Sequence, residues 1–224
     1  RVLSVAADLF RADLAPSPSI IAGYPWFEVW GRHSLLAFAG LYLTTGHLDD
    51  GKRVLQTLIS NLRDGLLPNR LPDSGASPEY HAIDATLLLF TAAHALASKV
   101  GPSDPFVVDC LLPALVTIFD TLAVGTRDGI RVTDDGLLAA GAEGTSLTWM
   151  DARIDQRPVT SRAGLAVEIQ ALFGQACETL AWLARENAKP ELAERADLAH
   201  SRLRQAFAAR FWCESTSYPF DIVS

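Results

Sequence analysis

Residues 147–164, "LTWMDARIDQRPVTSRAG", bring a tryptophan, a methionine, two aspartates and three arginines into a stretch that reads as neither helix nor simple turn. Loops of this length in compact domains are usually functional or disordered, and Trp149 and Met150 argue against disorder. Three further clusters mix aromatic and charged groups. "GYPWFEVWGRHS" (23–34) sets Tyr24, Trp26, Phe27 and Trp30 beside Arg32 and His33, while "PNRLPD" (68–73) supplies Asn69 and Arg70 and "YHAID" (80–84) supplies Tyr80 and Asp84. Aromatic faces, forked guanidinium groups and carboxylates are what a sugar site needs, because sugar rings stack on apolar platforms and their hydroxyls pair with charged groups. Taken one at a time, each of these residues could equally be a core aromatic or a structural ion pair. Asp151 could simply cap a turn or pair with Arg153.

The elements that must position these groups are helices of two alternating kinds. "GRHSLLAFAGLYLTTG" (31–46) is apolar on nearly every face, as expected of a helix buried all round, whereas residues 49–65 space Val54, Leu55, Leu58, Ile59 and Leu62 at a helical period among charged residues. The alternation recurs. Residues 83–100 form a second inner helix, followed by an outer segment from Asp104 to about Val124 that starts at Pro105 and is expected to bend at Pro113. A third pair covers residues 165–187 and the stretch after Pro190, where Ala199, Leu203, Phe207 and Phe211 recur every four residues. "GIRVTDDGLLAAG" (129–141) carries a hairpin signal around Asp134, Asp135 and Gly136. The expectation is an all-α domain, an α/α toroid with a small β-hairpin insertion. Each polar cluster falls just before an inner helix, so all should converge on one end of the ring. The lack of a fixed repeat period weighs against a helical solenoid.

Composition narrows the partners. The chain has 19 Lys and Arg against 26 Asp and Glu, a formal charge of −7, which disfavours nucleic acid and anionic membranes and suits a neutral or cationic small molecule. Cys110, Cys177 and Cys213 are odd in number and widely spaced, so neither a disulfide framework nor a metal site is expected, and a reducing cytoplasm is the simplest setting. No secretion signal is evident, and no apolar run was expected to reach the roughly 18 residues of a membrane span.

The motifs "AGYPWFEVWGR", "GLLPNRLPD", "YHAIDATLLLF", "GTSLTWMDA" and "VTSRAGLAVEIQAL" occur in an order and spacing that resembles the glucosidase domain of glycogen-debranching enzymes, the amylo-α-1,6-glucosidase family. The resemblance spans most of the chain. It implies an (α/α)6 barrel that hydrolyses α-1,6-glucosidic branch linkages of α-glucans with inversion, using two carboxylic acids and no metal or organic cofactor. The general acid then falls on Asp151, and a partly desolvated position beside Trp149 and Met150 is expected to raise its pKa. Trp26, Trp30, Arg32, His33, Asn69, Arg70, Tyr80, Asp84, Trp149, Arg162 and Glu168 become the substrate-binding lining, with about a third of them expected to support the site from behind.

Two departures stand out. His33 occupies a position after "WGR" where the family usually has an aspartate. A full ring needs six helix pairs and about three can be counted, so the chain is expected to be the N-terminal half to two-thirds of a domain whose catalytic base lies beyond Ser224. Within the chain, Glu168 is the nearest candidate for a base. Three other readings stay open: a carbohydrate-binding protein of the same fold without turnover, a glucosidase for another α-glucoside, and a structural helical module.

Overall fold

A computed structural model describes residues 2–14, 17–23, 26–72, 75–141, 144–155 and 157–223. After a short helix α1 (Val2–Asp8) come strands β1 (Arg11–Leu14), β2 (Ser17–Gly23) and β3 (Phe27–Trp30), helix α2 (Gly31–Phe38) and helix α3 (Leu48–Ser60). Strand β4 (Arg70–Leu71) precedes α4 (Ile83–Val100) and α5 (Leu112–Val124). A short-stranded region follows, with β5 (Arg131–Val132), β6 (Leu138–Ala139), β7 (Arg153–Ile154), β8 (Arg157–Pro158) and β9 (Leu165–Ala166). Helices α6 (Val167–Glu186) and α7 (Pro190–Phe211) lead to β10 (Trp212–Cys213), β11 (Tyr218–Pro219) and β12 (Ile222–Val223).

The inner helices run parallel. Gly31 at the start of α2 faces Ala85 at the start of α4, and Ala39 to Thr44 beyond α2 meet Ala95 to Lys99 near the end of α4. Thr91 of α4 donates to Gln175 of α6 at 2.9 Å, and the His94 and Trp182 rings lie 4.8 Å apart further along the same pair. The outer helices are parallel to one another too: Lys52 of α3 reaches Asp104 at 2.8 Å, Gln56 accepts from the Cys110 thiol at 3.0 Å, and Arg195 of α7 pairs with Asp120 of α5. Inner and outer helices run in opposite directions. Glu178 faces His200 at 3.5 Å, and Arg185 reaches Asp197 at 2.6 Å across α6 and α7. The described chain is therefore a two-layer arc, with α2, α4 and α6 presenting their N-termini at one end.

Burial follows the two kinds of sequence. Helix α4 buries Ile83, Ala85, Leu87, Leu89, Ala93 and Leu96 completely, whereas α7 buries a narrow stripe that includes Ala193, Ala196, Leu203 and Phe211. The 18-residue stretches Ile83–Val100 and Val107–Val124 are, contrary to expectation, long and apolar enough to cross a membrane by length and composition; the first is 67% buried inside this domain and the second 44%. The helical backbone continues through Pro113 without a break, and the irregularity lies just before it. Because Pro113 has no N–H to donate, the backbone passes through a π-helical turn at Val107–Leu111 before α5 begins.

The strands depart from the all-α expectation. Beyond the expected hairpin, which is β5–β6, the described residues form a four-stranded antiparallel sheet in the order β1-β2-β3-β4 and three further two-stranded ladders, β7–β8, β9–β12 and β10–β11. Strands β2, β3 and β4 cover the same polar motifs that precede the inner helices. Short extended runs of two to four residues carry too little alternation to be separated from loop by pattern.

The entry to α2 is tightly fixed. The Gly31 N–H donates to the Asn69 carbonyl at 2.9 Å, and a Cβ on Gly31 would lie 2.3 Å from the Pro68 carbonyl oxygen. Alanine favours a helix by ~1 kcal/mol over glycine, but overpacking costs ~1–3 kcal/mol and a displaced buried hydrogen bond ~1 kcal/mol more. Gly31→Ala is expected to lower stability by about 2 kcal/mol, read as a shifted urea midpoint with unchanged slope. An unaltered midpoint would show that this close approach does not constrain the fold.

Candidate active site

Arg32 and Asp84 each occupy the second residue of an inner helix, in α2 and α4. Since those helices start side by side, the two side chains meet: Arg32 Nε donates to Asp84 Oδ2 at 2.7 Å and Nη2 to Oδ1 at 3.2 Å. The pair is buried, with Arg32 7% and Asp84 3% exposed. The remaining arm of the guanidinium, Nη1, donates to Asp151 Oδ2 at 3.3 Å. The loop carrying Asp151 is tied to α4 by the Ile83 N–H, which donates to the Leu147 carbonyl at 2.8 Å.

Burial pushes the Asp84 carboxyl above the usual carboxylate range, against the opposing pull of the Arg32 fork and the Ala85 N–H. His33, next on α2, has its imidazole pKa lowered by partial burial and by the Arg32 charge, against the opposite influence of Asp151 and Asp84. The His33 and Trp30 rings meet edge to face with centroids 6.0 Å apart.

Strand pairing draws in further residues. Trp30 pairs with Arg70 across β3 and β4, and Arg70 pairs in turn with Glu79. The Arg70 side chain is held by Glu79 at 2.5 Å and Glu28 at 3.5 Å. Asn69 is fully buried; its backbone N–H and carbonyl serve Glu79 and Gly31, while both atoms of its side-chain amide lack a protein partner among the described residues. Trp30, Arg32, His33, Asn69, Arg70, Asp84 and Asp151 thus gather at the N-terminal end of α2 and α4.

Other expected residues stand apart. The Tyr80 hydroxyl donates to the Asn61 carbonyl at 2.6 Å, and its ring lies against the guanidinium groups of Arg63 and Arg127, so its polar tip is engaged at the end of α3. Arg162, 2% exposed, is held by both Glu168 oxygens and by Asp221, at the second residue of α6. Trp26 is 84% exposed at the tip of the β2–β3 hairpin, and Tyr24 lies outside the described residues. Asp151 is partly buried, its side chain 37% exposed, while the neighbouring Trp149 is 55% exposed and turned outward. Thr148 is buried and anchors this segment, and the residues after it turn outward into the β7–β8 hairpin. Glu28, Glu79 and Asp221 join these clusters although none was among the expected site residues. Glu28 sits inside a motif already singled out and Glu79 directly precedes another, but Asp221 shows its role only through the β9–β12 pairing, which no local pattern announces.

A family profile described as amylo-alpha-1,6-glucosidase matches residues 6–224. The chain belongs to this family. It is 39% identical over 80 residues to the glycogen debranching enzyme of Saccharomyces cerevisiae, a match covering 34% of the chain and 5% of that enzyme. In fold it is similar to a GH78 family rhamnosidase of Bacillus sp. GL1, with a TM-score of 0.59 and 17% identity over 86% of this chain and 18% of that one. The chain thus spans a small part of the proteins it matches. This amylo-alpha-1,6-glucosidase family domain is of glycosidase type, mostly helical with small sheets.

The charges around His33 give a direct check. A folded-state pKa below the unfolded value near 6.5 means that the unfolded chain takes up the proton first. The stability His33 contributes is therefore complete above pH 6.5 and is lost as pH falls through its folded midpoint. NMR titration should place that midpoint below 6.5, and Asp151→Asn should lower it further by removing an anion that favours imidazolium. A midpoint that rises in Asp151→Asn would contradict this arrangement.

Proposed function

We propose that the domain is the acid-bearing part of an inverting α-glucosidase that cleaves α-1,6 branch linkages of an α-glucan, with Asp151 as general acid. The observation that supports this reading most is the placement of Asp151: a half-exposed carboxylate at the mouth of a buried Arg32–Asp84 pair, inside the "TWMDA" motif of a glucosidase-family domain. Of the three Arg32–carboxylate hydrogen bonds, the one to Asp151 is the longest, so Asp151 can turn to an incoming glycosidic oxygen while Arg32 stays in place. The bound sugar supplies the water exclusion that Trp149 and Met150 do not provide in its absence.

In this reading the Asp151 proton passes to the glycosidic oxygen as the C1–O bond breaks. A second carboxylate, roughly 6.5–9.5 Å away, takes a proton from the water that adds to the opposite face of C1, so an α-glucoside yields β-glucose. Glu168 has both oxygens occupied by Arg162, which leaves it poorly placed to serve as the base. Exposed Trp26 and Trp149 offer stacking faces to neighbouring sugar units, and His33, held neutral near pH 7, offers a hydrogen bond where the family usually places an anion. The arc of α2 to α7 extends, on this reading, into a closed α/α toroid, and the net charge of −7 suits a neutral glucan in the cytoplasm over nucleic acid or a membrane surface.

The test uses the protein that carries this domain and a branched maltooligosaccharide. Asp151→Asn should reduce kcat by a factor on the order of 10²–10⁴, the usual contribution of a general acid, with binding retained, and the wild type should release β-glucose first in an NMR time course. Initial release of α-glucose would overturn inversion. Sugar binding without turnover in the wild type would establish the alternative, a carbohydrate-binding protein built on the same site.

A further inference from the structure

Asp84 belongs to the cluster that meets the sugar in the proposed function, yet its geometry gives it a different task. Oδ2 accepts from Arg32 Nε at 2.7 Å, and Oδ1 accepts from Arg32 Nη2 at 3.2 Å and from the Ala85 N–H at 2.7 Å. The residue is 3% exposed and is flanked on α4 by Ile83 and Ala85, both fully buried. With the residue 3% exposed and three donors already on its carboxylate, a hydroxyl group could reach Asp84 only by opening a buried, charge-assisted contact, one of the stronger interactions available to a side chain.

Both helix starts that carry the pair are also fixed. The Gly31 N–H is bound to the Asn69 carbonyl, the Ile83 N–H to the Leu147 carbonyl, and the Leu67 N–H to Thr86 Oγ1 at 2.9 Å. With Nε and one N–H of Nη2 committed to Asp84, the guanidinium turns its outer edge, Nη1, toward Asp151. The same device recurs at α6, where Glu168, again the second residue of its helix, grips the fork of Arg162.

We infer that Asp84 is a positioning residue: it locks the Arg32 guanidinium so that its Nη1 edge faces the sugar and Asp151, and it does not itself contact substrate. The role rests on the proposed function for its ligand, but the lock can be tested without one. In the ligand-free wild type, the Arg32 Nε–H should give a resolved, exchange-protected NMR signal, and that signal should lose its protection in Asp84→Asn, where an amide donor replaces one acceptor. Protection unchanged in Asp84→Asn would overturn the lock.

On saturating the wild type with maltotetraose, the protected Nε–H should keep its shift and exchange rate while resonances of His33 and Asp151 move. Movement of the Nε–H would show that sugar reaches Asp84 and would overturn the positioning role, and this arm needs no variant to fold. Asp84→Asn and Arg32→Gln should each weaken maltotetraose binding by about tenfold or more, and the double variant should fall within about twofold of the weaker-binding single, because both changes remove one unit. Additive losses would assign Asp84 a sugar contact of its own. Absence of maltotetraose binding in the wild type would count against the glucan reading, while the ligand-free measurement would still decide the lock.

Discussion

The buried ion pair between Arg32 and Asp84 is the constraint on which the candidate site depends. Burying two charges is expensive, and the cost is recovered only where the geometry is close and the remaining donors and acceptors are used. Both conditions hold: the contact is bidentate, the Ala85 N–H takes up a spare lone pair on Asp84, and the third arm of Arg32 reaches Asp151. The pair spans two inner helices separated by 52 residues, so it forms only when α2 and α4 start in register. That register is set by backbone bonds from Gly31 and Ile83 to neighbouring loops and by the close approach of Gly31 to Pro68. Helix packing, loop anchoring and the charge cluster are therefore one arrangement.

The same logic explains why the polar residues lie where they do. Parallel inner helices present their first turns at one end of the arc, and the described members Arg32, Asp84 and Glu168 stand at equivalent positions there. Each Arg in the two clusters faces a pair of carboxylates, Asp84 with Asp151 and Glu168 with Asp221, so this end carries excess negative charge. Such a surface favours neutral or cationic ligands over phosphates.

Much of this was legible in the sequence because inner and outer helices differ in a way that periodicity detects. Helix α4 is apolar on almost every face and is buried on almost every face, and Pro113 follows directly on a π-helical turn. The clustering of Arg32, Asp84 and Asp151 could be expected because each precedes or opens an inner helix. What escaped the sequence was set by long-range contacts. Tyr80 lies in a motif full of site residues, yet its hydroxyl is taken by Asn61. Trp149 sits two residues from Asp151, and a bend after buried Thr148 turns it outward. The β9–β12 ladder was invisible because its partners, such as Ile222 and Ala166, are far apart in the chain, and β7–β8 and β10–β11 are too short to show alternation.

On the proposed function, a glucoside binds at the Arg32–Asp84–Asp151 end of the inner helices. A crystal structure of the protein with a glucose-shaped iminosugar, whose cationic ring nitrogen suits the negative site, tests this most directly. The ring is expected within hydrogen-bonding distance of Asp151 and of Arg32 Nη1, with the Arg32–Asp84 contact intact. An iminosugar seated elsewhere, such as the groove between Val116 of α5 and Leu192 of α7, with the Asp151 end unoccupied, would contradict it.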